Sequence, residues 1–194
     1  EQWYIENSLQ TIDLPDPVAQ ANQELWATGE EANKNIVRGR KRHTKFISNI
    51  LVIKDSANPD NEGKVFLYKY GKAIHNKIKE AINPQFPDEK PVNPFDMWDG
   101  ANFKMRIFKD QSTGFPNYDK CVFDTPEALF DGDDDRIEKE VYNKLYPLQP
   151  EIARDKFKTY DELKARLNLV EGIVAKQKTQ KEDVNPDFQK GKPT

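Results

Sequence analysis

The residues of this 194-residue chain best suited to chemistry are cations and flat rings that recur side by side. They fall in Arg38-Gly-Arg-Lys-Arg-His-Thr-Lys-Phe46, in Phe66-Leu-Tyr-Lys-Tyr-Gly-Lys72, in Lys104-Met-Arg-Ile-Phe108, and at Phe115 and Tyr118. Single-stranded nucleic acid asks for this pairing: cations follow its phosphates, and rings stack its unpaired bases at roughly 1–3 kcal/mol per base. Arg38, Arg40, Lys41, Arg42, Lys45, Lys69, Lys72, Lys104 and Arg106 are the candidate cations, and Tyr68 and Tyr70 the hydroxyl-bearing edge of an aromatic wall. Phe66 and Phe108 fit a core position as well as a groove position, because alternation alone does not say which face of a strand is buried.

The charge is segregated along the chain. Residues 32–109 hold 16 basic and 8 acidic residues, net +8, and the remainder 14 and 25, net −11, for the overall −3. Residues 32–53 contain no acid, while Lys34, Arg38, Arg40, Lys41, Arg42 and Lys45 crowd into them. Such segregation points to a polyanionic partner for the basic part. Only 36% of residues are hydrophobic and 32% are charged, so the core must be modest for the length. No apolar run approaches the roughly 18–20 residues of a membrane span and no basic-then-apolar leader opens the sequence, so a soluble protein with no membrane partner is expected. The chain opens on Glu1 rather than Met, which suggests a fragment of a longer protein.

Signatures of enzymes are missing. Neither G-x-x-x-x-G-K-[ST], G-x-G-x-x-G nor G-x-S-x-G occurs. The acidic run from Asp124 to Glu140 includes Asp131-Gly-Asp-Asp-Asp135, yet a calcium loop counted from Asp131 puts Arg136 at the turn glycine and Tyr142 at the bidentate Glu. One cysteine, Cys121, and two histidines, His43 and His75, do not make a usual four-ligand zinc set. Both histidines read as surface or hydrogen-bonded side chains, His75 on the polar side of a helix. No catalytic residue, metal ligand or cofactor is assigned, and the chain is read as a non-enzymatic binder.

These groups need elements to position them. Phe46 to Lys54 and Lys64 to Tyr70 read as strands by β-branched and aromatic content, and the Asn-, Pro-, Asp- and Gly-rich segment between them makes a hairpin. Ala73 to Ile82 spaces Ile74, Ile78, Ala81 and Ile82 as a helix. Four prolines make Asn83 to Pro94 an extended connection. Asn102 to Lys109 alternates as one strand, with Phe103, Met105 and Ile107 toward a core and Lys104, Arg106 and Phe108 on the other face. Asp110 to Tyr118 is a loop presenting Phe115 and Tyr118. A weak helix over Pro17 to Trp26, a short helix over Arg136 to Tyr146, and a helix opened by the capping box Thr159-Tyr-Asp-Glu162 complete the reading. That last helix carries Leu163, Leu167, Val170 and Val174 as its apolar stripe.

Lys41-Arg-His-Thr-Lys-Phe-Ile-Ser-Asn-Ile-Leu-Val-Ile-Lys-Asp55, continued by Asn61-Glu-Gly-Lys-Val-Phe-Leu-Tyr-Lys-Tyr-Gly-Lys72, closely resembles the helix-destabilising single-stranded DNA-binding proteins of T-even-like bacteriophages. Trp3-Tyr-Ile-Glu6, Trp98-Asp-Gly-Ala-Asn-Phe103, Gly114-Phe-Pro-Asn-Tyr-Asp119 and Asp155-Lys-Phe-Lys-Thr-Tyr-Asp-Glu-Leu163 follow in that family's order. The resemblance implies a mainly β OB-fold barrel with accessory helices. It would hold a single-stranded DNA-binding core over 1–175: a degenerate zinc-type subdomain over 1–35, OB-fold strands over 36–123, and an acidic loop and helices over 124–175. A linker or tail would follow over 176–194. It implies protection of DNA during phage replication, recombination and repair in the cytoplasm of an infected bacterium, with Lys41 and Arg42 on phosphates. Phe46, Tyr68, Phe115 and Tyr118 would line the groove, and Trp26 stands where another stacking ring is possible.

The departures set further expectations. The family's zinc uses one His and three Cys, and here Ile12 falls at the His while Asp16-Pro-Val-Ala19 replaces a Cys-Pro-Val-Cys pair, so zinc is expected to be absent. The family's basic N-terminal arm and its acidic C-terminal tail, which recruits phage replication proteins, are not in this chain, so a monomeric core that binds with little cooperativity is expected. Two other readings stay open: an RNA-binding OB-type module, and a metal-dependent nuclease built on the acidic run.

Overall fold

In the computed structural model, residues 3–182 are described, with side chains described through residue 172. By packing, the described residues form two units: a first made of the segments on either side of residues 43–148, and a second made of residues 43–148.

In the second unit the expected hairpin is the longest β structure. β1 (Phe46–Leu51) and β2 (Val65–Tyr70) pair antiparallel with Phe46 opposite Tyr70 and Ser48 opposite Tyr68. Because side chains alternate across a strand, this register puts Phe46, Ser48, Tyr68 and Tyr70 on one face. The connecting turn is tied by Asp55, whose carboxylate accepts the backbone N–H groups of Ala57 and Asn58 and the Asn61 amide, and it closes at Gly63 with φ of +74°. Gly71 then ends the strand, and α3 (Lys72–Ile82) follows with Ile74 buried, as Val65 and Tyr70 of β2 are. The connection from Asn83 carries no helix or strand before Phe103.

The single strand expected over Asn102–Lys109 is not formed. It breaks into β3 (Phe103–Lys104), which pairs with β6 (Val122–Phe123), and β4 (Phe108–Lys109), which pairs with β5 (Pro116–Asn117). Two halves that pair with different partners cannot keep one alternating face. Met105 and Ile107, expected in the core, are 46% and 51% exposed, and the buried Cys121 sits against the Arg106 carbonyl at the break. The architecture is therefore mixed rather than mainly β: three separate two-stranded sheets, β1–β2, β3–β6 and β4–β5, among the described residues, with helix exceeding strand.

Much of the acidic run is engaged in local structure. Asp133 caps α4 (Asp134–Glu140) by accepting the Arg136 N–H, Asp134 accepts the Trp98 indole N–H at 2.8 Å, and Glu127 accepts the Asn102 amide at 2.8 Å. Glu140 pairs with Arg136 at 3.1 Å. Among the described residues no three His, Cys, Asp or Glu side chains are grouped as a cation would require.

In the first unit, Leu9, Phe157 and Leu163 form a core joined by Tyr4, Ile12 and Tyr160. α1 spans Pro17–Ala27, and α2 (Glu31–Gly39) is a helix that the basic stretch did not reveal, with Glu31 in its first turn and Arg38 in its last, as the helix dipole favours. The Thr159 box forms as expected: the Thr159 N–H reaches Glu162 at 2.7 Å, and the Glu162 N–H reaches the Thr159 hydroxyl at 3.3 Å. It opens α5 (Tyr160–Glu182), burying Leu163 and Leu167. The Val174 side chain lies outside the described residues. Of the tail expected over 176–194, residues 176–182 continue α5 as backbone, and 183–194 lie outside the described residues.

Candidate nucleic-acid interface

The second unit carries a run of near-parallel rings on the hairpin. Phe46 and Tyr70, opposite one another in register, have ring centroids 5.9 Å apart and planes 22° apart, and Tyr70 and Tyr68 follow at 5.7 Å and 24°. His75, in the first turn of α3, lies on the Phe46 ring at 3.6 Å and 8°. Four rings thus stand in the order His75, Phe46, Tyr70, Tyr68. Tyr70 is buried and holds the row to the core, while Phe46, Tyr68 and His75 are half-buried.

The row continues into polarisable and aromatic neighbours. The Tyr68 hydroxyl meets the Met105 sulfur at 3.6 Å. Burial pushes the Tyr68 phenol up, and the adjacent Tyr118 and Cys121 add to it.

Phe115 and Tyr118 sit on a loop that is stiff rather than slack. The Asp110 carboxylate accepts the Ser112 hydroxyl at 2.6 Å and the N–H groups of Ser112 and Thr113 at 2.9 Å each, and the Gly114 N–H returns to the Asp110 carbonyl at 2.8 Å. Gly114 takes φ of +73°, a conformation that costs side-chain-bearing residues. Phe115 at its tip is 73% exposed. The far end is fixed by Lys77 of α3, which donates to the Asp119 carbonyl at 3.2 Å, and by the Cys121 N–H on the Tyr118 carbonyl at 3.0 Å. A large ring held in solvent by a fixed turn is a stacking group without a protein partner.

The cations divide. Lys45, Lys69, Lys72 and Arg106 of this unit are exposed and make no ion pair among the described residues. Lys104 is paired with Asp124, whose carboxyl it holds below the usual range. Lys120, not singled out in the sequence, lies over the Phe108 ring at 4.8 Å.

In the first unit the basic stretch is partly used up. Arg38 meets Glu31 at 2.5 Å, Arg40 meets Glu171 of α5 at 2.7 Å, and Arg42 donates to the Thr11 hydroxyl at 2.8 Å. Lys41 is exposed and makes no ion pair among the described residues. Trp26, 49% exposed, carries Lys34 and Arg38 over its ring at 5.8 and 6.0 Å, a separate pairing of cations with a flat surface.

The same unit tests the zinc implied by the resemblance. Asp16 is buried, and its carboxylate is already saturated: Oδ2 accepts the Ser8 hydroxyl at 2.9 Å and the Leu9 N–H at 3.0 Å, and Oδ1 accepts the Val18 and Ala19 N–H groups at 3.0 Å each. Ile12 packs in the core and Ala19 offers no donor atom, so the residues present do not fit the metal.

Comparison with known proteins settles the ancestry. Residues 1–171 match the family model described as "gp32 DNA binding protein like". The chain belongs to this family. It is 37% identical over 179 residues to the single-stranded DNA-binding protein of Enterobacteria phage T2, covering 90% of this chain and 57% of the relative. To the single-stranded DNA-binding protein of Enterobacteria phage T4 it is 36% identical over 178 residues, 89% of this chain and 57% of that one. The chain thus spans a little under three fifths of the length of these relatives. No helix among the described residues is long and apolar enough to cross a membrane.

Sequence reasoning reached Phe46, Tyr68, Tyr70, Phe115 and Tyr118 and left out His75 and Met105. His75 carried a signal, since it lies one helical turn past Gly71, where a chain leaving Tyr70 must turn back over the hairpin. Met105 carried none, because its exposure follows from a strand break that alternation conceals.

Proposed function

We propose that this chain is a non-enzymatic, sequence-tolerant binder of single-stranded DNA. The observation that carries the proposal is the ring row of Phe46, Tyr70 and Tyr68, with Tyr118 and Met105 beside it and Phe115 held out on its closed loop. A row of rings stacks any base, because every base has a flat face, which makes the binding tolerant of sequence. Lys45, Lys72 and Arg106 supply phosphate partners in the same unit, whereas Lys69, expected with them, alternates onto the hairpin face opposite Tyr68 and Tyr70; Lys41 and Arg42 are phosphate partners by family resemblance. The role that follows is protection of DNA strands during phage replication, recombination and repair inside the infected cell, by a monomer of low cooperativity. Family membership supports an OB-type groove for the second unit, with the β1–β2 hairpin as its longest pair. The saturated Asp16 supports a first unit that folds without zinc, and stoichiometric metal in purified protein would refute this.

The test is titration of fluorescent oligothymidine across salt concentrations. Neutralising about five phosphates gives a log–log slope of roughly −3 to −4, at about −0.7 per phosphate. A salt-independent affinity, or a preference for duplex, would reject the proposal. A matched RNA oligomer bound more tightly would move the reading to the RNA-binding alternative.

A further inference from the structure

His75 looks at first like an ordinary surface histidine on the polar side of α3. Its surroundings say otherwise. The imidazole side chain makes no hydrogen bond and no ion pair with the described residues; it lies on the face of Phe46, at 3.6 Å and 8° from parallel. A half-buried ring whose flat surface lies on a neighbour restricts the rotamers open to that neighbour. The position is set by the fold: Phe46 lies opposite Tyr70 in register, Gly71 turns the chain, and the first turn of α3 returns over the strand end with His75 on the Phe46 ring. Tyr70 is the other ring in contact with Phe46, so the phenylalanine is held by two rings, one from β2 and one from α3.

We propose that His75 is a positioning residue for single-stranded DNA: by stacking on Phe46 it fixes the plane of that ring and, through it, the ring row that the bases meet. This rests on the binding function proposed above. A phenylalanine on a hairpin edge with one neighbour has rotamer freedom to lose when a base arrives, and a clamp removes that freedom beforehand, which lowers the cost of binding. Because His75 acts through Phe46, its contribution must vanish when Phe46 is absent.

The experiment is a double-mutant cycle with fluorescent oligothymidine at several salt concentrations, using the chain as it stands: parent, His75→Ala, His75→Phe, Phe46→Ala and Phe46→Ala/His75→Ala. The expected result is about a fivefold loss of affinity for His75→Ala, near the lower edge of what one stacked base is worth. The salt slope stays unchanged, His75→Phe recovers to within about twofold, and the double variant is no weaker than Phe46→Ala. Parental affinity in His75→Ala overturns the inference, as does a His75→Phe variant as weak as His75→Ala, or a His75→Ala loss that persists in the Phe46→Ala background. Should His75→Ala not fold by circular dichroism, His75→Gln takes its place with the same expectations. If the parent itself fails to bind oligothymidine, the proposed function is what fails; if the parent binds and the cycle shows no coupling, only the role of His75 does.

Discussion

The backbone N–H of Asp110 donates to the carbonyl of Phe115 at 2.9 Å, closing the loop whose tip is the most exposed phenylalanine of the described residues. The loop's order therefore depends on Asp110, whose carboxyl is drawn down to about 2 by the Ser112 hydroxyl first and then by the Thr113 and Ser112 N–H groups. Asp110→Ala is expected to weaken oligothymidine binding toward the level of Phe115→Ala, several-fold in each case, with the salt slope unchanged. An Asp110→Ala variant that binds like the parent would show that loop order does not matter for Phe115.

The same carboxylate sets a pH dependence. Its folded value lies below the ordinary carboxylate value, so its contribution to loop order is complete above about pH 4 and is lost as pH falls through about 2. Amide exchange at Ser112 and Thr113 followed between pH 5 and pH 2 checks this. Protection that stayed constant over the whole range would contradict it.

Asp16 is the second carboxylate on which a segment hangs. It binds residues on both sides of itself, Ser8 and Leu9 before it and Val18 and Ala19 after it, and it caps α1. Asp16→Ala leaves buried donors without an acceptor and is expected to destabilise the first unit by about 3 kcal/mol. Chelator added to the parent should leave its thermal transition in place. A transition that moved with chelator, or an Asp16→Ala variant as stable as the parent, would remove Asp16 from this role.

What could be read from residues alone was what local chemistry decides. The hairpin was legible because β-branched residues flank a turn rich in Asn, Asp and Gly, and the α5 start because Thr159 and Glu162 satisfy each other's backbone within one turn. The strand break at Met105 was not legible: nothing local distinguishes one eight-residue strand from two short ones whose partners, Phe123 and Asn117, lie well downstream. Nor could α2 be seen inside the basic stretch, where charge masked the helix-forming run Glu31–Gly39. The candidate rings were found by type, whereas the cations needed geometry, since Glu31, Glu171 and Asp124 decide which of them are already paired.

That pairing makes the basic residues separable. Arg40 is half-buried against Glu171, with one guanidinium nitrogen buried and without a partner, whereas Lys41 beside it is exposed. Arg40→Ala is expected to cost about 1–2 kcal/mol of stability and to leave the salt slope of DNA binding almost unchanged. Lys41→Ala should leave stability within about 0.5 kcal/mol and flatten the slope by roughly 0.7. Thermal melts and salt titrations of both variants separate the two; a reversed pattern would place the phosphate contact at Arg40.

Gly100 is the position where the fold tolerates no side chain at all. It is buried, and a Cβ built on it would fall 2.0 Å from the Asp96 carbonyl oxygen and 3.1 Å from that of Asn93, both backbone atoms that cannot swing aside. The surrounding turn is fixed by the Asp96 carboxylate, which accepts the Trp98 N–H at 2.8 Å and the Asp99 N–H at 2.9 Å and is held below its usual range by those bonds. The Gly100 carbonyl in turn accepts the Glu127 N–H at 3.0 Å, so any shift of the glycine is passed to the acidic segment. Gly100→Ala is therefore expected to destabilise the second unit by at least about 2 kcal/mol, as overpacking against backbone does. Gly39→Ala, where nothing lies within 4 Å of the added carbon, should change stability by less than about 1 kcal/mol. Denaturant unfolding of the two variants provides the comparison, and equal midpoints would mean that the turn at Asp96 can open without cost.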